Sequence, residues 1–132
     1  MKQYFLINMQ LPSLNTYTSA QRANKYQGAK FKGEVEEAIG WAIKQGLAKG
    51  TLSPVTEPCE IFIEFYEATK RRDVDNIQSA QKFILDAMVK CGILKDDGRK
   101  YVKQIYHHIY DGGRDYVVVN ILPVGSVEFV FN

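Results

Sequence analysis

Residues 70–76 read Lys-Arg-Arg-Asp-Val-Asp-Asn, and this run of cations followed by two carboxylates constrains the chain more than any other stretch. A second acidic pair, Asp96-Asp97, follows the next predicted helix. Mg²⁺ prefers hard oxygen ligands and keeps several waters, so two or three carboxylates can hold it when a substrate phosphate fills other positions. The pattern therefore indicates a metal-dependent phosphodiester chemistry at Asp73, Asp75 and Asp97, with the preceding cations contacting the phosphate.

Composition sets the broad class of the protein but not its partner. The chain has 132 residues, of which 45% are hydrophobic, which is enough for one domain spanning residues 1–132. With 17 basic and 15 acidic residues the formal net charge is +2, so binding to nucleic acid has to come from clustered cations. Neither a secretory signal pattern nor an apolar run of about 18 residues is found, which predicts a cytoplasmic protein with no membrane partner and two unpaired cysteines.

The first part of the chain predicts one strand, a loop and one helix. Tyr4–Ile7 is a short apolar run that ends at a proline, and Asn15 then lies in a segment expected to be irregular. Ser19–Lys32 interleaves cations such as Lys30 with aromatic residues, which is typical of a solvated approach to a helix or of a DNA-backbone contact. Helical spacing of apolar residues predicts a helix from Lys30 to about Ala48.

The middle of the chain predicts a strand at Glu60–Phe65 and a helix from Asp75 to Cys91, with Gly92 as the residue that stops it. Six residues form the predicted buried stripe of this helix: Ala80, Phe83, Ile84, Ala87, Met88 and Cys91. The opposite stripe consists of Ser79, Lys82, Asp86 and Lys90. Asp86 is expected to pair with both lysines, because each lies four residues away.

The last part predicts two strands, Tyr101–Tyr110 and Tyr116–Ile121, joined by Asp-Gly-Gly turn chemistry into a hairpin. His107 and His108 are adjacent in a strand and therefore point to opposite faces. Val127–Phe131 is either an edge strand or an element that packs on a second subunit. The predicted fold is α+β, a small mixed sheet of about four strands with two main helices in the order β-α-β-α-β-β.

Three alternative roles compete for the Asp73 and Asp75 pair. An aspartate can simply cap a helix, where it accepts backbone N–H bonds and complements the dipole. An EF-hand calcium loop is excluded, because a count from Asp73 places Gln78 where glycine is required and Ile84 where the bidentate glutamate belongs. A phosphotransferase with an Asp-x-Asp nucleophile would place the first aspartate at the tip of an apolar strand, and residues 70–72 intervene here.

Four motifs, taken in order, resemble the RusA family of Holliday junction resolvases. They are residues 11–15 (Leu-Pro-Ser-Leu-Asn), residues 72–76 (Arg-Asp-Val-Asp-Asn), residues 82–87 (Lys-Phe-Ile-Leu-Asp-Ala), and Gly92 followed by Asp96-Asp97. The resemblance covers roughly Leu11 to Val102. Each motif is common, but their combination in this order is specific.

The resemblance implies a homodimeric, Mg²⁺-dependent endodeoxyribonuclease, with Mn²⁺ able to substitute, that resolves four-way DNA junctions by paired nicks in recombination and repair. Such enzymes are often encoded by phages or prophages and need no small-molecule cofactor. By position, the family's catalytic and metal-holding aspartates correspond to Asp73, Asp75 and Asp97. Its essential lysine corresponds to Lys82, which keeps the spacing to Asp86, whereas matching without a gap would select Ser79. The expected DNA contacts are Lys70, Arg71, Arg72, Asn15 and Lys30.

Two functions remain as alternatives: a junction- or duplex-binding protein that does not cut, and a metal-dependent phosphotransferase.

The path from Asp75 to Asp97 raises a further question. A helix from Asp75 to Cys91 is roughly 24 Å long, and the six residues that follow extend at most about 20 Å. Either the connection doubles straight back along the helix, or Asp97 meets the Asp73 and Asp75 pair of the other subunit.

Overall fold

Strand and helix segments alternate along the chain in the α+β arrangement that the sequence predicts. A computed structural model describes residues 3–127. The elements are β1 (Gln3–Ile7), α1 (Leu14–Ala23), α2 (Lys25–Lys49), β2 (Cys59–Glu67), α3 (Val74–Gln78), α4 (Gln81–Lys90), β3 (Val102–Asp111) and β4 (Tyr116–Pro123). The four predicted strands are confirmed. The segment Val127–Phe131, predicted as an edge strand or as an element that packs on a second subunit, lies beyond Val127 outside the described residues.

The sheet is mixed and has the strand order β1-β4-β2-β3. β2 runs parallel to β3 and antiparallel to β4, while β1 pairs antiparallel with β4. The predicted hairpin of β3 and β4 is therefore wrong, because β2 lies between them. The connecting loop crosses the end of β2 and is tied to it, since Gly112 N–H donates to Glu67 O at 2.9 Å and Ala68 N–H donates to Asp115 Oδ1 at 2.8 Å.

α1 occupies a segment that the sequence predicts to be irregular. Ser13 caps it by accepting a hydrogen bond from the Thr16 amide at 3.3 Å. No residue of α1 is fully buried, and only Leu14 and Tyr17 pack against the core, so the apolar period that reveals most helices is missing. The following helix, α2, begins five residues before its predicted start, where Asn24 accepts from the Gln27 amide at 2.6 Å.

The helix predicted from Asp75 to Cys91 is divided into α3 and α4, with Ser79 and Ala80 between them. Ser79 Oγ donates to Asn76 O at 2.7 Å. A hydroxyl bonded to the preceding turn competes with the helical ladder and bends the helix there. The predicted stop is confirmed, because Gly92 has a φ of +78° and Ile93 N–H closes on Met88 O at 2.9 Å.

The core lies between one face of the sheet and the helices α2 and α4. Its strand residues include Ile61, Ile63 and Phe65, which alternate along β2. The predicted buried stripe of α4 is buried except for Cys91, which is exposed because the chain leaves the helix there. No helix within residues 3–127 is long and apolar enough to cross a membrane.

Candidate active site

Asp73 and Asp75 stand at the start of α3, directly after the loop that leaves β2. Asp73 occupies the N-cap position in an extended conformation, yet its side chain makes no capping hydrogen bond. Asp75 lies in the first turn, and both residues are exposed. Neither carboxylate has a hydrogen bond or an ion pair with any residue between 3 and 127. A capping role therefore does not account for Asp73, and both carboxylates are available to a ligand.

Arg72 fixes the loop in front of Asp73 by a bidentate ion pair. Its Nε and Nη2 groups donate to the two carboxylate oxygens of Glu67 at 3.0 and 2.9 Å. Its Nη1 group donates to Leu11 O at 2.8 Å. Glu67 is only 3% exposed, so its carboxylate is largely desolvated. The planar guanidinium of Arg72 compensates for this by donating to both carboxylate oxygens. The guanidinium thereby joins the end of β2, the loop after β1 and the start of α3.

The loop after β1 reaches α3 through two further hydrogen bonds. Leu14 N–H donates to Ser79 Oγ at 3.0 Å, and the Asn15 side-chain amide donates to Asn76 Oδ1 at 2.8 Å. Two of the motifs that carry the resemblance, residues 11–15 and 72–76, are therefore in direct contact in the folded chain. Ser79, which ungapped matching places at the position of a lysine, serves here as a joint between α1 and α3.

Asp97 and Lys82 line one open groove of about 590 Å³, together with residues of α2 and α4. Lys82 Nζ donates to Asp86 Oδ1 at 3.2 Å, and Lys32 of α2 lies 3.8 Å from Asp86 Oδ2. The predicted pairing of Asp86 with Lys90 is wrong, because the packing of α2 against α4 brings Glu36 within 3.1 Å of Lys90 instead. Asp73 and Asp75 do not line this groove.

The predicted site residues therefore fall into two groups, and no three acidic, histidine or cysteine side chains of residues 3–127 converge in an arrangement for a metal ion. The donor chemistry of Asp73 and Asp75 fits Mg²⁺, because free carboxylate oxygens are its usual protein ligands. Asp97 of the same chain does not complete a three-carboxylate arrangement with them. The alternative in which Asp97 joins the pair from a second subunit stays a prediction.

The side chains predicted to contact DNA differ in whether they are bonded to other residues of the protein. Lys70 and Arg71 are exposed, and neither has a hydrogen bond or ion pair with another residue of the described part of the chain. Lys30 is exposed on α2, and Asn15 is exposed but bonded to Asn76. Arg72 differs, since its guanidinium is engaged with Glu67 and Leu11.

The two histidines lie on opposite faces of β3, as predicted. His107 faces the core side and contacts the Phe65 ring edge-on, with 5.3 Å between ring centroids. Burial lowers the pKa of His107. His108 is exposed and lies 4.3 Å from the Tyr110 ring. Neither histidine adjoins the free aspartates in sequence or lines the groove of Asp97.

Sequence reasoning missed Glu67 and the hydrogen bonds of Ser79. Glu67 continues the buried alternation of Ile63 and Phe65, so an acidic residue at that position in β2 requires a buried cationic partner. Arg72, five residues on, is the cation within reach. No comparable signal in the sequence identifies Ser79, because its contact with Leu14 spans 65 residues.

In comparisons with known proteins, no family model matches the chain and no curated protein matches it at a significant level. The likeness to the RusA family therefore rests on the motifs of the chain.

Proposed function

We propose that the protein is a Mg²⁺-dependent endodeoxyribonuclease that cuts four-way DNA junctions, as the RusA-like motifs imply. The observation that carries the proposal is the state of Asp73 and Asp75. Both carboxylates are exposed and unpaired at the end of a loop that carries the free cations Lys70 and Arg71. The loop is fixed by Arg72 without them, and carboxylates left unpaired beside cations suit a phosphodiester substrate that brings its own negative charge.

In this proposal each group of residues has a separate task. Lys70 and Arg71 contact the DNA backbone and position it without reading sequence. Asp73 and Asp75, completed by Asp97, hold Mg²⁺, which when bound activates the attacking water and neutralises charge on the leaving oxygen. Lys82 stabilises charge that develops on the phosphate. Asp86 keeps the Lys82 ammonium in the groove that Asp97 lines.

The connection between Arg72 and Glu67 supports precise placement of the aspartates. A catalytic carboxylate displaced by about 1 Å loses much of its effect on rate. Arg72 is bonded to both Glu67 and Leu11, so the backbone directly before Asp73 is held from two sides. Arg72 is therefore assigned a positioning role, while its direct contact with DNA stays a prediction.

A junction- or duplex-binding protein without cleavage is the second candidate. One observation favours it, namely that Asp73, Asp75 and Asp97 of a single chain do not converge in an arrangement for a metal ion within residues 3–127. This candidate predicts binding of a four-way junction that is unaffected by Mg²⁺ and leaves the DNA intact.

The deciding experiment is incubation of the protein with a synthetic four-way junction, with and without Mg²⁺, followed by denaturing electrophoresis. Paired nicks on opposite strands that require Mg²⁺ or Mn²⁺ support the proposal. Binding in a gel-shift assay without nicks in either metal supports the second candidate. Turnover of small phosphate esters with no action on the junction would indicate a phosphotransferase instead.

A further inference from the structure

α1 and the first turns of α2 form a helical hairpin that packs on the core only at its base. We call residues 14–33 the hairpin. Within it, Leu14, Tyr17 and Phe31 are the residues that pack against the core. The ring of Phe83 in α4 lies 5.9 Å from that of Tyr17 and 6.4 Å from that of Phe31, measured between centroids. All but two of the residues between Tyr17 and Phe31 are exposed, so the rest of the hairpin faces solvent.

The two helices of the hairpin are held close together, which gives it one defined shape. A Cβ atom at Gly28 would lie 2.6 Å from Gln21 Cγ and 3.1 Å from Gln21 Cα, so this approach requires glycine. The Gln21 side-chain amide donates to the Tyr17 hydroxyl at 2.8 Å, and Asn24 between the helices accepts from the Gln27 amide. A surface that is ordered before it meets a ligand loses little conformational entropy on binding.

The hairpin is basic and contains no acidic residue. Its cations are Arg22, Lys25, Lys30 and Lys32, and no aspartate or glutamate precedes Glu34 in the chain. The side chains of Arg22, Lys25 and Lys30 are exposed, and none has a hydrogen bond or an ion pair with another residue of the described chain. Because the whole chain has a net charge of only +2, this cluster is its clearest attraction for an anionic polymer.

Tyr26 projects from the same basic surface. It is 75% exposed, the highest value for a large hydrophobic side chain between residues 3 and 127. Tyr26 and Lys30 are four residues apart in α2 and therefore neighbours on one side of the helix. Each is two residues from Gly28, so that side is turned away from α1. An uncovered ring beside unpaired cations is the combination that binds unpaired bases, which stack on the ring while their phosphates meet the cations.

We propose that the hairpin binds single-stranded DNA, with one base stacked on Tyr26 and the flanking phosphates held by Arg22, Lys25 and Lys30. Paired bases are poorer partners, because their faces are covered by neighbouring pairs and inserting a ring between them costs a few kcal/mol of unstacking. An acidic protein segment would use the cations but would leave the Tyr26 ring without a role. The inference goes beyond the proposed function, since holding a strand needs neither the metal nor cleavage.

The hairpin lies within reach of the candidate active site. Lys32, near its base, lines the groove that also contains Lys82 and Asp97. Tyr26 and Lys32 are six residues apart in α2, which is about 9 Å along the helix axis. That distance is no more than about three nucleotides of a stacked strand at 3.4 Å each. A strand held at Tyr26 can therefore continue into the groove.

The test is the binding of fluorescent oligothymidylate, measured by anisotropy in EDTA at a fixed salt concentration. The wild type should bind it at micromolar concentrations. Tyr26→Ala should raise the dissociation constant by about 5- to 150-fold, the effect of losing one base stack. Tyr26→Phe should bind like the wild type, because the ring remains. Trp41→Ala is the matched control: Trp41 is a second aromatic residue of α2, 61% exposed, but lies one turn from Glu37 instead of among cations.

A variant with one relocated tryptophan reports stacking directly. Trp41 is the only tryptophan of the chain, so Tyr26→Trp combined with Trp41→Phe places the sole indole on the hairpin. Oligothymidylate should quench its emission and leave that of Trp41 in the wild type unchanged. Lys30→Ala should reduce the slope of log K against log salt by about 0.7, the value for one phosphate contact with a single strand. Lys49→Ala, at the other end of α2, should leave this slope unchanged.

Three results would overturn the proposal. The first is a wild type that does not bind oligothymidylate at micromolar concentrations, and the second is a Tyr26→Ala protein that binds it as tightly as the wild type does. The third is an equal loss of affinity for a blunt duplex in Tyr26→Ala, because the bases inside a duplex cannot stack on the ring. Tyr26 is exposed, so its replacement should leave the circular dichroism spectrum unchanged. Binding is measured without metal, so this result is independent of whether the protein cuts junctions.

Discussion

The side-chain amide of Asn15 donates to Asn76 Oδ1 at 2.8 Å, and so fastens the first turn of α1 to the helix that carries Asp75. These residues are separated by 61 positions in the chain, and each belongs to one of the motifs that carry the resemblance. The contact shows that the loop after β1 supports the aspartate segment. Asn15 therefore affects the site through Asn76, whether or not it also contacts DNA.

Replacement of the free aspartates tests whether their carboxylates act on a ligand. Asp73→Asn and Asp75→Asn should each abolish junction cleavage, while the free energy of unfolding changes by no more than about 0.5 kcal/mol. The physical reason is that both side chains are exposed and neither carboxylate has a hydrogen bond or ion pair with another residue of the described chain. Asp97→Asn should behave alike. Cleavage is measured on the junction and stability by urea denaturation; a large loss of stability in any of the three would assign that aspartate a structural role.

Ser79 and Lys82 should separate into a structural and a catalytic effect. Ser79→Ala removes the acceptor for Leu14 N–H and the donor to Asn76 O, and should cost about 1–3 kcal/mol of stability with a smaller loss of rate. Lys82→Ala removes an exposed side chain and should reduce the cleavage rate far more than the stability. Single-turnover kinetics alongside thermal unfolding distinguish them. If Ser79→Ala had the larger effect on rate at equal stability, the gapped assignment of the lysine would be wrong.

Arg72 and Arg71 are adjacent but should respond differently to truncation. Arg72→Ala leaves the buried Glu67 carboxylate without its cationic partner, with only the Gln10 side-chain amide donating to it, and should destabilise the fold by about 3–5 kcal/mol. Replacing both residues, as in Arg72→Met with Glu67→Leu, should recover part of this loss. Arg71→Ala should leave stability unchanged and reduce the salt slope of DNA binding by about 0.9 for the lost phosphate contact. An unaltered slope for Arg71→Ala would remove it from the DNA interface.

Mixed dimers test whether Asp97 acts across subunits. If the site takes Asp73 and Asp75 from one subunit and Asp97 from the other, a heterodimer of Asp75→Asn and Asp97→Asn chains retains one intact site and should nick one strand. If each site is built within one chain, every site carries a lesion and the heterodimer stays inactive. Differently tagged chains, purified together, provide the sample. The two parent homodimers serve as inactive controls.

His107 predicts a pH dependence of stability. Burial lowers its pKa below the ordinary value of 6.5, so the unfolded chain binds a proton more readily than the folded one. The contribution of His107 is therefore complete above that value and is lost as the pH falls below it. From about pH 7.5 to about pH 5.5, the free energy of unfolding should fall less in His107→Phe than in the wild type. His108→Phe, at an exposed position, should keep the wild-type dependence.

Strand and helix positions followed from local patterns, because burial of one face imposes a period that the sequence displays. β2 is an example, with Ile61, Ile63 and Phe65 on the core face. The end of α4 was equally predictable from the sequence, because a glycine follows it. Gly92 adopts a positive φ, which other residues disfavour. α1 was missed for the opposite reason: it buries no residue completely, so no period marks it.

Strand order and the layout of the site did not follow from local patterns. The turn between β3 and β4 contains suitable glycines, but turn chemistry does not specify whether the flanking strands pair or enclose a third. Likewise, the motif order predicted the residues of the candidate site without their distances. Lys82 and Asp97 line one groove, and Asp73 and Asp75 do not line it.

The strand order also governs when the sheet can assemble during synthesis. β1 and β2 are made early but never touch, because β4, the last strand of the described chain, occupies the space between them. Until β4 leaves the ribosome, β1 has no strand to pair with and β2 can pair only with β3. The nascent chain thus exposes the unpaired edges of β1 and of β2 until translation of β4 is complete, which makes a holding chaperone most useful in that interval.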